Sequence, residues 1–357
     1  MSSEFGQKLR ISLFGESHGP CVGAVIDGFP AGMKVDFEAL RAMMDRRAPG
    51  RDPAATARKE ADEVEILSGL KEGVTTGAPI AGIIRNTDCR SADYEELSRV
   101  LRPGHADFAA RKKFGAAAEL RGGGHFSARL TAPLTFAGAL CRQALAERGI
   151  VLGAHLLRAG RAEDLPFSDF PGPEEFRLLP AFPVRSQKAE AAMRAEIEAA
   201  KAEGDSLGGV VECAAVGLPA GLGGPWFGSA ESLLSAALFG IPAVKGVEFG
   251  RGFAAAGMRG SAHNDPFVLR EGETALGGNR HGGVLGGITT GCPLIFRAAF
   301  KPTPSIAAEQ QSVDLSGPKE VSFRVRGRHD PCVAVRAVPV VEAVAAAVLL
   351  DLCLLGI

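Results

Sequence analysis

The chain has 357 residues, 46% of them hydrophobic, and a formal net charge of −1. That length supplies a sizeable core, and the balanced charge excludes a global field that would favour nucleic acid or an anionic membrane. An anion site must therefore be assembled from local clusters of Arg and Lys, and the seven cysteines, odd in number and without a Cys-x-x-Cys pair, read as reduced thiols of a cytoplasmic protein.

In chain order, the first 17 residues lack a long apolar run and a small-residue cleavage site, so no signal peptide is expected. Apolar runs at 9–14 and 21–26 predict strands. Asp36 is a helix N-cap, and the pattern FEALRAMMDRR carries the helix to the Pro49-Gly50 stop. Residues 50–63, rich in Arg and Asp, read as a loop, and runs at 63–67 and 80–84 as further strands. Helical spacing continues through 132–148, with Gly149 as the stop. Ser186 caps a surface helix over 187–203 that Gly204 ends, and another helix is expected over 229–239. Short strands with glycine turns fill 208–224, residues 277–293 are glycine-dense, and 321–325 alternates like a strand. Pro339 is a good first helical residue, so the last helix is expected to begin there. The apolar stretch 338–357 is short for a bilayer span and is interrupted by Glu342 and Asp351, which makes it a buried core helix. The irregular alternation of elements, without repeats or linkers, points to one mixed α and β domain.

Gly15-Glu16-Ser17-His18-Gly19 satisfies the Gly-x-Ser-x-Gly pattern of a hydrolase elbow, with Ser17 as the nucleophile. Such an elbow leads from a strand into a helix, whereas Pro20 and a β-type run follow here. The glycine clusters spell no dinucleotide fingerprint, no Gly-x-x-x-x-Gly-Lys-Ser/Thr loop occurs, and His-Glu-x-x-His is absent. What remains is a set of polar segments that folding alone does not explain: GESHGP at 15–20, RPGHAD at 102–107, RGGGHFSAR at 121–129, GGVLGGITTG at 282–291, KPTPS at 301–305 and GRHDPC at 327–332. Each sets His, Arg, Ser or Asp beside Gly or Pro, as in rigid turns that bring backbone N–H groups and side chains to a ligand. Arg41, Arg46, Arg47, Arg51, Arg58 and Lys59 cluster in one short segment. Arg46 and Arg47 read as anion ligands; Arg58 and Lys59 read as a solvated helix end.

In this order and spacing the segments resemble the chorismate synthases, over nearly the whole chain. The resemblance implies an α+β fold with helices sandwiched between two mostly antiparallel sheets, assembled as a homotetramer. It implies a 1,4-anti elimination of phosphate from 5-enolpyruvylshikimate 3-phosphate to give chorismate, with reduced FMN and no net redox change. NADPH enters as an indirect reductant, with reduction on this chain and supply from an external source both open. By resemblance, His18 donates a proton at the departing phosphate, His105 stabilises the reduced flavin, and Asp330 tunes its N5 position, from which the substrate proton is removed. Ser127, Ala243, Gly282, Lys301, Pro302, Thr303, Pro304, Ser305 and Arg328 correspond to flavin contacts. Arg47, Arg129 and Arg336 are the candidate guanidinium forks for a substrate with two carboxylates and a phosphate. His155 and His263 match no motif and read as structural or exposed.

The chain departs from the family pattern in places. His125-Phe126 stands where many members have Arg-Ser, and His125, if protonated, replaces the lost cation in part. Pro242 replaces an Asn, Pro304 a Ser, and the Arg expected beyond Pro49-Gly50 aligns near Pro53 with Arg51 beside it. These changes leave open a flavin-binding relative with lost or altered activity.

Overall fold

A computed structural model describes residues 3–50, 61–87, 99–176, 182–317, 319–325 and 330–356. Arg51, Pro53, Arg58, Lys59 and Arg328 lie outside the described residues, as does most of the 50–63 loop.

Two five-stranded sheets form the outer layers. The first runs in the order Glu4–Phe5, Arg10–Gly15, Cys21–Asp27, Ile80–Arg85, Glu65–Ile66, and every pairing in it is antiparallel. The second runs Val244–Phe249, Leu294–Phe300, Gly209–Val216, Val151–Ala159, Ala162–Glu163, again antiparallel throughout. The helices are α1 (Phe37–Arg47), α2 (Asp107–Phe114), α3 (Thr131–Ala146), α4 (Gln187–Ala202), α5 (Ala230–Leu238), the one-turn α6 (Gly260–His263) and α7 (Ala334–Leu355). Helix α3 packs on the first sheet, α7 on the second, and the two pack on each other. The sandwich of helices between antiparallel sheets is thus as the resemblance implied.

The two caps read from sequence, Asp36 and Ser186, hold, and Ser229 is a third. Asp36 Oδ1 accepts from the N–H groups of Glu38 and Ala39 at 2.9 Å, Ser186 Oγ from Ala189, and Ser229 Oγ from Ser232. One boundary differs. Helix α7 begins at Ala334, five residues before Pro339, which lies inside it. Pro339 gives up a helical hydrogen bond, yet Ala334, Val335 and Val338 on the preceding turn are buried, and that burial carries the helix across it. The helix has 22 residues, enough to cross a bilayer by length and apolarity, but it lies buried between the sheets. Its two acids explain themselves. Asp351 accepts the N–H groups of Gln7, Lys8 and Leu9, tying the N-terminal strand pair to the helix.

Glu342 holds together both sides of the sandwich. It takes both arms of Arg46 at 2.7 and 2.8 Å, a contact from Arg142 at 3.4 Å, and the N–H of Ala154 in the second sheet at 2.9 Å. Burial works against both charges, but the pair outweighs it: Arg46 is raised above its ordinary value and Glu342 lowered below. Arg46 is therefore a structural ion-pair member, which corrects its reading as an anion ligand.

His155 is fully buried on the strand Val151–Ala159. Its Nε2 lies 3.0 Å from Glu212 and its Nδ1 3.5 Å from Asp164, and Phe167 meets its ring edge-on. Burial disfavours the Asp164 charge, yet the close His155 ring, the Arg185 and Leu165 N–H groups and the Ser186 hydroxyl hold its pKa down to about 2. A depressed carboxylate contributes stability that is full above its unfolded value near ~3.9 and is lost as pH falls through its folded value. Asp164→Asn is accordingly expected to cost about 2 kcal/mol at pH 6, and the gap to the parent protein to narrow between about pH 4 and pH 2. Urea titrations at pH 6 and pH 2.5 measure it; a gap that stays constant contradicts the assignment.

Candidate active site

The loop Glu16–Pro20 joins two antiparallel strands, whose pairing ends at Gly15 and Val22. This strand–loop–strand context overturns the hydrolase elbow. Ser17 is buried, donates to Arg121 O at 3.1 Å, and lies 3.1 Å from His18 Nδ1. Asn86 stitches the loop shut, donating from Nδ2 to Glu16 O and Gly19 O, while its Oδ1 accepts from Arg129 Nε.

Against this loop lies the turn Arg121–Phe126, in which Gly122, Gly123 and Gly124 all have positive φ. Positive φ is strained for any side chain, and here the space is also taken. A Cβ on Gly122 would overlap the His18 ring and crowd Ser17 Oγ, and one on Gly123 would sit 3.3 Å from His105 Nε2 and 3.4 Å from Ser127 Cβ. Gly122 and Gly123 thus let both histidines and Ser127 converge on one bare stretch of backbone, while Gly124 packs against Glu119 O. Gly122→Ala is expected to push His18 aside and cut turnover at least ~10-fold. Steady-state kinetics beside a thermal melt would show it, and unchanged turnover in a folded variant would remove the close approach as a requirement.

Neither ring nitrogen of His125 is left over for a direct bond to a ligand. Its Nδ1 lies 2.8 Å from Gly15 O and its Nε2 2.7 Å from Ser3 Oγ, so both nitrogens are spent stapling the N-terminal strands.

His105 reaches the site from the turn before α2. His105 N bonds back to Arg102 O, and Gly104 takes φ +71. Segment 99–101 is held by the hairpin Gln310–Asp314/Lys319–Phe323, through the bridge of Val100 to Asp314 and the bond from Ser312 Oγ to Leu101 O. Lys301 Nζ donates to Gly104 O at 2.7 Å, and Pro304 lies beside Gly104. Ala243 O accepts from Lys301 N at 2.9 Å. Ala243, Lys301, Pro304 and His105 therefore form one continuous wall.

Two features of that wall fit a phosphate-bearing cofactor. Ala243 has φ +74, a strained conformation for a residue with a side chain. Thr303 Oγ1 is buried without a hydrogen-bond partner among the described residues, while Thr303 O accepts from Ser206 Oγ. Lys301 adds a cation whose pKa is lowered by burial and then by Lys245. Pro302 packs near Gly208, and Ser305 is half-buried. Gly282 stands apart. It is wedged by backbone approach to Gly250 and Ile295 and bonds to Asn279 O, which accounts for the glycine without a ligand.

The three candidate guanidiniums do come together. Asp62 lies 2.6 Å from Arg47 Nε and 2.5 Å from Arg129 Nη1. Arg47 also donates to Thr131 Oγ1, and Arg336 donates to Arg47 O and pairs with Asp330 at 2.6 Å. Burial, with Arg336 and Arg129 nearby, pulls the Arg47 pKa down to about 10 against the opposing pull of Asp62. Among the described residues, three guanidiniums gathered around Asp62 and Asp330 concentrate positive charge in a water-poor place, a basis for anion binding. Asp330 thus appears as the partner of Arg336. Asp62, Asn86 and Thr131 went unnoticed in the sequence, because no local pattern marks a residue whose partners are dozens of positions away. Among the described residues no group of three or more His, Cys, Asp or Glu side chains is placed to hold a metal ion.

Known proteins match the chain over nearly its whole length. The family model described as chorismate synthase matches residues 9–354. A chorismate synthase of Korarchaeum cryptofilum is 50% identical over 351 residues, covering 97% of this chain and 96% of that protein. One from Thermococcus kodakarensis is 48% identical over 346 residues with the same coverage of each. A solved structure titled "Crystal Structure of Chorismate Synthase" superposes with a TM-score of 0.76 at 30% identity, covering 98% of this chain and 93% of that one.

Proposed function

The chain belongs to the chorismate synthase family, and from that premise we propose how its own residues divide the family's work. The activity is the FMN-dependent conversion of 5-enolpyruvylshikimate 3-phosphate to chorismate, a carbon–oxygen lyase reaction that releases phosphate. Reduced FMN, when bound, supplies electron density to the reacting ring.

The convergence of His18 and His105 on the glycine turn carries the assignment of roles. His18 is the proton donor to the departing phosphate, a task suited to an imidazole placed beside the leaving group. His105 faces the flavin across Gly123. Lys301 and the turn to Ser305 hold the FMN phosphate, with Thr303 Oγ1 supplying a hydroxyl that has no protein partner in the described residues. Ser127 and Ala243 line the same wall, and Arg328 and Gly282 are proposed contacts by family correspondence. Arg47, Arg129 and Arg336 hold the substrate's anionic groups; Asp330 acts on the flavin through the same pocket while pairing with Arg336.

An anaerobic assay with chemically reduced FMN and the enolpyruvyl substrate tests the activity. Chorismate absorbance with stoichiometric phosphate is the expected result, and flavin binding without turnover would indicate an altered relative. We also propose a single-domain homotetramer in the cytoplasm. The largest apolar cluster of the described residues draws on both five-stranded sheets and on α1, α3, α4, α5 and α7, which supports the single domain, and the exposure of Trp226, Phe227, Phe253, Phe267 and Leu269 supports assembly. Light scattering on the purified chain tests the tetramer. NADPH is proposed as an indirect reductant; an aerobic assay with NADPH and oxidised FMN distinguishes reduction on this chain from supply by an external source.

A further inference from the structure

The RPGHAD segment contains an acid that the roles above do not use. Asp107, the first residue of α2, is almost fully buried and folds back over its own turn. Its Oδ2 accepts from Arg102 N at 3.0 Å and Arg102 Nε at 2.8 Å. Its Oδ1 accepts from Arg102 Nη2 at 2.6 Å and lies 2.7 Å from His105 Nδ1. The Arg102 side chain is itself only 5% exposed. Four contacts occupy both oxygens from two directions each, so the carboxylate has no freedom to turn.

We propose that Asp107, locked by Arg102, is a positioning residue that fixes the tautomer and ring orientation of His105, so that Nδ1 carries a hydrogen and Nε2 alone presents to the active site. The proposal rests on the reading of His105 as a flavin-facing group. An ionised carboxylate only accepts, so the neutral imidazole beside it must donate from Nδ1. Burial opposes the charge on Asp107, but the hydrogen bonds from His105 and Arg102 outweigh it and hold the carboxyl well below the usual range. Nε2 is then the nitrogen that exchanges a proton or a hydrogen bond with a bound ligand. It is also the one nearest the open side of Gly123, beside which Ser127 stands as well. The glycine turn opens the space, and the Arg102–Asp107 clamp decides which nitrogen enters it.

Asp107→Asn is the diagnostic change, because it keeps the shape and removes one acceptor. Arg102 N and Nε demand the remaining oxygen at the Oδ2 position, since placing the amide there would oppose two donors instead of one. The amide NH2 then faces His105 Nδ1 and donates to it, which forces the hydrogen to Nε2. The expected results are three. In the ligand-free parent protein at about pH 9, above the ordinary histidine range, 15N shifts show His105 as the Nδ1–H tautomer; in Asp107→Asn they invert. The variant loses on the order of 100-fold or more in kcat with little change in substrate KM, as wrong-tautomer changes do in other histidine enzymes. In His105→Ala, adding Asp107→Asn costs nothing further.

An Nε2–H tautomer in the parent protein overturns the proposal, and that measurement needs no variant that folds. Unchanged tautomer in a folded Asp107→Asn that is merely less stable also overturns it, because a purely structural acid would behave so. If His105→Ala turns over at the parent rate, the reading of His105 itself fails, whatever the tautomer shows.

Discussion

His18→Ala is expected to fold, to bind FMN with nearly the parent affinity, and to turn over between ~10²- and ~10⁴-fold more slowly, the usual range for a lost general acid. The imidazole stands half-buried in a loop whose shape depends on other residues. Ser17 bonds to Arg121 O, Asn86 bonds to Glu16 O and Gly19 O, and His125 secures Gly15 O. Removing the ring leaves all of these contacts in place. The wall assigned to FMN is built from Ala243, Lys301 and Pro304 around the His105 turn and does not include His18. Turnover and flavin affinity should therefore separate. Single-turnover phosphate release under anaerobic conditions measures the first and a flavin fluorescence titration the second. Parent-like phosphate release would take His18 out of the mechanism. Equal losses in both would make it a binding residue.

The largest effect on stability is expected at Glu342. Alanine there leaves Arg46 buried without its carboxylate and deprives the Ala154 N–H of its acceptor. Breaking one side of a buried pair costs about 3–5 kcal/mol. For a chain of this size that lowers Tm by roughly 5 °C, since the unfolding entropy is about 2 cal/mol/K per residue. The direction of the pKa shift adds a second signature. Glu342 is held below its ordinary value, so its contribution is full above ~4.3 and fades as pH falls through its folded value. Glu342→Leu paired with Arg46→Met should recover most of the loss, because a well-packed apolar pair replaces a desolvated ionic one. Calorimetry on the single and double variants distinguishes these outcomes. A single variant within 1 kcal/mol of the parent would mean that water takes over the solvation of Arg46.

The adjacent residues Arg46 and Arg47 show where sequence reasoning reached its limit. Both looked like anion ligands at the end of one helix. Successive residues on a helix point about 100° apart, so one meets Glu342 of α7 and the other meets Asp62 and Thr131. Only the packing of α1 against α3 and α7 distinguishes them. The second sheet was hidden for a related reason. Its central strands Val151–Ala159, Gly209–Val216 and Leu294–Phe300 are buried along most of their lengths, so two of them gave no alternating pattern and the third was read as short strands with glycine turns.

The sequence by itself determined what is local. Asp36, Ser186 and Ser229 cap their helices because a short side chain reaches only two or three residues along its own chain. The glycines at 122–124 and the two histidine segments announced a site, since positive φ and reactive side chains are properties of single positions and short turns. The tertiary structure decided the partners. It set His18 and His105 on the same glycine turn, made His125 a staple, placed Asp62 between Arg47 and Arg129, and turned Asp107 back onto His105. A charge or a hydrogen bond takes its strength from how near its partner stands and how little water lies between them. Those two quantities exist only after residues far apart in the chain have been packed together.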